Sequence, residues 1–291
     1  MKRIALIDVD GHNFPNIALM KISSYHKNKG DVVEWANLAN YDKTYMSKIF
    51  SFTPDFNYGL SNYGEIIKGG TGYNFKNLPK KIDSQIPDYS IYPGLTAAYG
   101  FLTRGCNNKC SYCIVPNKEG KIKPYADIED FLSGRNKAVL LDNNVLQSKH
   151  GINQIIKIIN LKIKIDFNQG LSAKIIADDK HLAKLLSKVK WIKYIRLACD
   201  HSNQIPIVEK AIENLLSFGI KKYRLFIYML VKEIPDALLR ANYFKEIDID
   251  PFAQPFYDFK NNILPNSSQK KFTRWVNRKE IFNSIEFKDY K

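Results

Sequence analysis

Cysteine is scarce: four occur in 291 residues, and three of them, Cys106, Cys110 and Cys113, stand close together. So uneven a set is no disulfide framework, and it points to a reducing compartment. Long apolar runs are also missing. The longest uncharged stretch, residues 89–103, is too short to span a bilayer and is broken by Pro93, Gly94 and Gly100. Near the start, Lys2-Arg3 precede only Ile4-Ala5-Leu6-Ile7 before Asp8, too little for the core of a secretory signal. Acidic residues are outnumbered, 29 against 44 Lys+Arg, which leaves a formal charge of +15. There is no block of five like charges, no internal repeat and no low-complexity segment. The expectation is a soluble cytoplasmic protein with no membrane partner.

What is present suits a globular chain. Hydrophobic residues make up 45% and aromatics 13%, which excludes wholesale disorder and leaves room for a large core. The length allows about two units, or one α/β barrel. The basic surplus attracts phosphate backbones without regard to sequence, so nucleic acid enters as a partner class. The same lysines alternate with apolar residues, as in Leu161-Lys162-Ile163-Lys164-Ile165, a pattern that an ordinary solvated face also gives.

Residues 3–9 read as a short buried strand. A helix follows through Pro15, Ile17, Leu19, Met20, Ile22 and Tyr25, closed by Lys27, Lys29 and Gly30. Further strands are expected at 31–35, 45–52 and 65–68, the last running into Gly69-Gly70-Thr71-Gly72. Residues 77–93 carry Pro79, Pro87 and Pro93 without periodicity and read as a linker, with a boundary near residue 95. Beyond it, strands at 99–103, 138–141, 163–167, 194–198, 225–230 and 247–249 alternate with helices around 126–133, 149–160, 179–188, 205–218 and 235–245. The fold class is therefore α/β: a small Rossmann-like parallel sheet, then a partial (β/α)6 TIM-type barrel over residues 96–255. Residues 256–291 form a C-terminal extension with a helix over 269–283. Lys271, Arg274, Trp275 and Arg278 would give that helix a cationic face holding one aromatic, with Phe272, Val276 and Phe282 docking the neighbouring face.

The segment Thr103-Arg104-Gly105-Cys106-Asn107-Asn108-Lys109-Cys110-Ser111-Tyr112-Cys113-Ile114-Val115-Pro116 carries the chemistry. Its spacing is Cys-x3-Cys-x2-Cys, in a loop straight after the first strand of the second unit. Three thiolates on one loop can grip three irons of a cubane and leave the fourth iron open. Structural zinc wants four ligands, usually as two close pairs, and no second pair exists. None of His12, His26, His150, His181 and His201 lies near the loop in sequence.

This spacing, with Tyr112 immediately before the last cysteine, resembles the signature of the radical S-adenosylmethionine superfamily. The order of strand, cysteine loop and repeated β/α units resembles that family as well, over residues 96–255. The resemblance implies a 4Fe-4S cluster on Cys106, Cys110 and Cys113, with S-adenosylmethionine chelated at the free iron. It implies reductive cleavage of that cofactor to a 5′-deoxyadenosyl radical, which takes hydrogen from a substrate, and a reductant such as flavodoxin or ferredoxin. It places Asp142, Asn143 and Asn144 at the cofactor's amino group, in a form that lacks the family's Gly-Gly-Glu. It places Asp166, Asn168 and Gln169 at the ribose or methionine portion, and Arg196 at the carboxylate. Cys199 and Asp200 follow Arg196 at the same mouth as weak candidates for a catalytic role; a solitary cysteine is more often a small buried hydrophobe. With no cysteine before Cys106, the auxiliary cluster of methylthiotransferases is not expected.

Residues 1–95 resemble a shortened cobalamin-binding domain. Asp10-Gly11-His12 follows the first strand, where that domain's imidazole reaches cobalt, with Pro15 in place of the motif's glycine; Gly69-Gly70-Thr71-Gly72 resembles the turn that receives the cofactor tail. Modification of RNA, DNA or a peptide is the first functional expectation. Radical chemistry on a small metabolite is the second, and a non-enzymatic iron-sulfur electron-transfer or sensor protein the third.

Overall fold

Ile4-Ala5-Leu6-Ile7 forms the middle of the first sheet, where a strand flanked on both sides reads as a continuous apolar run. A computed structural model describes residues 1–11, 14–259 and 261–291. The chain divides into one unit of Met1–Tyr99 with Glu129–Arg135, and a second of Gly100–Ile128 with Asn136–Lys291.

In the first unit, β1 (Arg3–Asp8) is followed by α1 (Ile17–Lys27), β2 (Val32–Trp35), β3 (Lys43–Ser47) and β4 (Glu65–Gly69). The strands pair in parallel in the order β2-β1-β3-β4, so β1 and β3 are interior. Asn16 caps α1, its side chain accepting from Leu19 N at 3.3 Å, so Pro15 lies ahead of the cap and not in the first turn as expected. The expected strand 45–52 is corrected to Lys43–Ser47. Its ladders with β1 and β4 end at Asp8 and Gly69, and Ile49, Phe50 and Phe52 beyond them are exposed. Residues 77–93 are packed, not extended: Ile82, Tyr89, Ile91 and Tyr92 are buried, and Trp35 Nε1 donates to Ile91 O at 3.0 Å.

The division between the units falls on β5 (Ala98–Gly100). The expected strand 99–103 is two pieces, because β6 (Thr103–Arg104) leaves β5 and pairs antiparallel with β7 (Lys123–Pro124). The segment between them, containing α2 (Val115–Glu119), is thereby closed at its neck. After it come β8 (Lys137–Leu140), α3 (Lys149–Asn160), β9 (Lys164–Phe167), α4 (Ala173–Asp178) and α5 (Lys180–Ser187). Then follow β10 (Lys190–Trp191), β11 (Ile195–Ala198), α6 (Ile205–Ser217), β12 (Leu225–Val231), α7 (Ile234–Glu246) and β13 (Asp250–Pro255). Gly100 O accepts from Leu141 N at 3.0 Å, and β8, β9 and β10 continue that sheet in parallel. A second parallel sheet runs β11-β12-β13. One parallel bridge, Leu171 to Leu197, links the two sheets, since the fourth strand is interrupted between β10 and β11. The result is a mixed α/β unit with parallel sheets.

The expected strand 247–249 is displaced to Asp250–Pro255. Proline cannot donate to a ladder, and β13, which holds Pro251 and Pro255, sits at the sheet edge, where that loss is tolerated. The C-terminal helix is broken at Arg278 into α8 (Ser267–Asn277) and α9 (Lys279–Ser284). Trp275 is 1% exposed and packs with Phe272, Phe282 and Phe287, its Nε1 donating to Ile285 O at 2.9 Å. The expected cationic face with an aromatic is therefore not formed: the indole is core and Arg278 lies outside both helices. Among the described residues no helix is long and apolar enough to cross a membrane.

Candidate functional site

The cysteine segment leaves β6 through Gly105, whose φ of +84° is available to glycine at little cost. A Cβ there would collide with the carbonyls of Gly120 and Lys121, so the segment doubles back tightly only because no side chain is present. Cys106 N then donates to Gly120 O at 3.1 Å, and Cys113 N to Cys110 O at 3.1 Å. Cys110 is exposed, and Cys106 and Cys113 are half-buried. Burial, then the neighbouring sulfurs, push the Cys113 thiol up; burial and Cys106 do the same to Cys110, against a hydrogen bond from Tyr112. Among the described residues no three His, Cys, Asp or Glu side chains are gathered as ligands to a single ion.

Two sulfurs receive backbone donors: Asn108 N lies 3.4 Å from Cys106 Sγ, and Val115 N lies 3.4 Å from Cys113 Sγ. Gln147, which sequence reasoning missed, braces the loop. Its Oε1 accepts from Asn107 N at 2.9 Å and its Nε2 donates to Asn108 Oδ1 at 2.8 Å. Glu119 was missed as well. Its carboxylate accepts from Arg104 (2.7 Å), Gly105 N (2.8 Å) and Asn143 Nδ2 (2.9 Å), tying the entry to the cysteine segment to the polar turn after β8. Being the sole acid between residues 105 and 122, amid Lys109, Lys118 and Lys121, was the available signal.

The strand-end residues fall into groups with different neighbours. Asp142 is 1% exposed, and its carboxylate accepts from Leu102 N, Thr103 N and the Thr103 hydroxyl. It is thus turned to the backbone that launches the cysteine segment. Burial pushes its pKa up to about 6, against the pull of those donors. Asn144 is 4% exposed; its Nδ2 donates to Cys106 Sγ at 3.5 Å, and its Oδ1 is buried with no partner. Asp166 and Arg196 are ion-paired with each other, while Arg196 Nε is buried without a partner. The Asn168 carbonyl accepts from Tyr228 OH at 3.0 Å, and Gln169 is exposed.

Asp200 joins the cysteine loop to the second sheet, accepting from Tyr112 OH at 2.7 Å and from Leu230 N at 2.9 Å. Cys199 is fully buried, with its thiol on His201 O at 3.6 Å and burial pushing its pKa up to about 12. It behaves as a small core residue.

In the first unit, the polar groups at the strand ends are spent on one another. Asn16 Nδ2 donates to Ser47 Oγ at 2.9 Å, and Tyr92 OH donates to Asp8 at 3.1 Å. The Asp10 carboxylate accepts from Ile49 N and from the Thr53 hydroxyl (2.6 Å). The glycine turn is hydrogen-bonded to Lys48: Lys48 N donates to Gly69 O at 3.0 Å, and Gly72 N to Lys48 O at 2.9 Å. His12, the expected imidazole, lies outside the described residues.

No protein-family model matches this chain, and no curated protein does. Among solved structures, the chain is similar to the cobalamin-dependent S-adenosylmethionine radical enzyme OxsB. Its structure with aqua-cobalamin and S-adenosylmethionine bound matches with a TM-score of 0.56 at 11% identity, and its structure with aqua-cobalamin bound at 0.56 and 12%. Each match covers 97% of this chain and 56% of the other, so the chain spans little more than half the length of OxsB. What the two share is the fold.

Proposed function

We propose that the chain is a radical S-adenosylmethionine enzyme whose second unit is a partial (β/α)6 barrel running from β5 to β13. One observation carries this reading: the Cys-x3-Cys-x2-Cys segment lies against the turn after β8, where Asn144 donates to Cys106 and keeps a buried acceptor unspent. The likeness of fold to OxsB supports it.

The donor set fits a 4Fe-4S cluster. Burial, and after it the neighbouring sulfurs, raise the pKa of Cys110 and Cys113, a penalty on the thiolates that cationic iron relieves on binding. Cys106, Cys110 and Cys113 would hold three irons. The unspent Asn144 Oδ1 and Arg196 Nε suit an ammonium and a carboxylate, the two ends of an amino-acid cofactor. With both groups bound, the chemistry supplied is one-electron cleavage of a sulfonium to a carbon radical that takes hydrogen from a substrate. The protein's own part is positional. Asp142 anchors the start of the cysteine segment, Glu119 its return, and Tyr112 to Asp200 its outer edge; Asp166 fixes the Arg196 guanidinium.

Cobalamin does not fit the described residues of the first unit. The glycine turn is hydrogen-bonded to Lys48, and Asp8, Asp10, Asn16 and Ser47 are engaged with other protein groups, so no step is derived through the vitamin. The charge of +15 supports a nucleic-acid substrate, the scarcity of cysteine supports a reducing, cytoplasmic setting, and the resemblance supplies flavodoxin or ferredoxin as the proposed reductant.

The test is anaerobic reduction of iron- and sulfide-reconstituted protein with S-adenosylmethionine. Release of 5′-deoxyadenosine is expected, and Cys110→Ala should abolish it. No release with any reductant overturns the reading. Retention of RNA or DNA that falls steeply with salt supports the macromolecular substrate; salt-independent behaviour points to a small metabolite.

A further inference from the structure

The segments that lead into the strands of the second unit carry one sign of charge. Residues 136–137, 161–164, 188–194 and 218–224, which enter β8, β9, β10 with β11, and β12, hold nine Lys or Arg and no acid. Acids stand instead at the exits of these strands, as Asp142, Asp200 and Glu233. Part of the surplus has a local cause: α3 and α5 end here, and a helix C-terminus favours cations such as Lys162 and Lys188. Lys137, Lys164 and Lys190 have no such cause. They stand in register on three neighbouring strands, Lys164 paired with Lys137 on one side and with Lys190 on the other. Neighbouring strands lie about 4.8 Å apart, so like charges side by side repel and cost stability. Among the described residues none of the three forms an ion pair, and Lys164 and Lys190 are exposed. Asp166, on the same face of β9 as Lys164, is taken by Arg196.

An open aromatic adjoins the row. Tyr223 is 71% exposed, with Arg224 Cζ 5.6 Å from its ring centroid, and Arg224 Nη1 donates to Lys193 O at 3.0 Å. That bond ties the entry of β12 to the segment that follows Lys190. Lys193 is itself exposed, its Nζ 4.6 Å over the Tyr194 ring. Of the strand entries in this unit, that of β13 carries the acids, Asp248 and Asp250; it lies on the far side of β12, and Asp250 is paired with Lys279. A row of cations without carboxylates suits a chain of phosphates, and an exposed ring offers a face to a base. A single strand presents both, whereas a duplex hides its base faces. We propose that this end of the second unit docks a single-stranded segment of nucleic acid, its phosphates along Lys137, Lys164 and Lys190 and a base on Tyr223. This rests on the nucleic-acid reading above and adds where the strand is gripped: at the strand entries, away from the polar turn after β8.

The experiment follows a fluorescein-labelled oligouridylate of about twelve nucleotides by fluorescence anisotropy, with the full chain, from about 50 to 200 mM salt. Lys137→Gln, Lys164→Gln and Lys190→Gln together should weaken binding about tenfold or more at the lowest salt. They should also reduce the slope of log affinity against log salt by about 2, since each contact to a single strand contributes about 0.7. Lys164→Gln alone, at an exposed position, should reduce the slope by about 0.7. Urea unfolding should show neither variant less stable than the unsubstituted protein, because repulsion is relieved. Tyr223→Ala should weaken single-strand binding about tenfold with the slope unchanged, and leave binding of a duplex of the same length unmoved. Lys76→Gln, Lys80→Gln and Lys81→Gln together remove the same charge from exposed positions of the first unit and should keep the affinity within about twofold. The proposal is overturned if the row variant keeps its affinity and slope, or if the first-unit variant loses as much, since binding then follows net charge; in both cases the nucleic-acid reading stands. Competition by polyglutamate as strong as by unlabelled oligouridylate overturns it in favour of an acidic polypeptide. No binding by the unsubstituted protein at about 50 mM salt rejects the nucleic-acid reading as well.

Discussion

Each unit of this chain ends its parallel strands in a polar turn, and the two turns differ in what they leave over. In the first, Asp8, Asp10, Asn16 and Ser47 are consumed by hydrogen bonds to Tyr92, Ile49, Thr53 and one another. In the second, Asn144 Oδ1 and Arg196 Nε are buried and unpartnered. A buried polar atom without a partner costs about 1–3 kcal/mol. The same α/β grammar thus leaves its strand-end polar groups engaged in one unit and leaves two buried atoms over in the other, the difference on which the proposed ligand site rests. Fold likeness alone would have assigned ligands to both.

The sharpest break of this contrast is Cys110→Ala. Iron content after reconstitution should fall to background, while urea unfolding of the metal-free protein stays within about 0.5 kcal/mol, since the side chain is exposed. Next is the anchoring of the open edge. Asp142→Ala leaves Leu102 N and Thr103 N unpaired and should cost about 3 kcal/mol by denaturant titration, against about 1 kcal/mol for Asp10→Ala in the half-exposed loop of the closed edge. A reversed order would remove the distinction between the two edges.

A subtler effect follows from Asp142's raised pKa. Its folded value of about 6 stands above the ordinary 3.8, so between them the folded state binds more protons than the unfolded one. Its contribution to stability therefore falls as pH rises through that window and is constant above it. Asp142→Asn, which cannot ionise, should flatten this slope in unfolding curves taken from pH 4 to 7. Aqua-cobalamin mixed with the protein should elute separately on gel filtration with an unchanged visible spectrum; stoichiometric co-elution would show that the first unit has a ligand site after all. The smallest effect concerns Cys199. Its buried thiol, pushed up to about 12, should resist iodoacetamide at pH 8 while the three loop cysteines of the metal-free protein are alkylated, as read by peptide mass spectrometry.

The position of the cysteine segment, in a loop after the first strand of the second unit, was legible because spacing and strand pattern are local features that a sequence displays directly. Strands such as Lys137–Leu140 and Leu225–Val231 were legible from apolar runs, and α3 from its Ile spacing. Glu119 and Gln147 were not, because their partners, Asn143, Asn107 and Asn108, lie 24 to 40 positions away, and no spacing rule joins them. The strand Asp250–Pro255 was missed for a related reason: whether proline is tolerated depends on being at an edge, a property of the assembled sheet. Trp275 was assigned to a cationic face by helical spacing, and its burial depends on where the chain turns at Arg278.

By itself, the sequence determined which groups are on offer: three thiols in the spacing Cys-x3-Cys-x2-Cys and a run of β/α units. Tertiary structure decided which polar residues remain available to a ligand. Asp142 and Asn144 lie two positions apart in the same turn, yet one is spent on the Leu102–Thr103 backbone and the other keeps a free acceptor beside Cys106. That difference is set by which backbone amides the folded chain brings within hydrogen-bond reach, and local sequence carries no record of it.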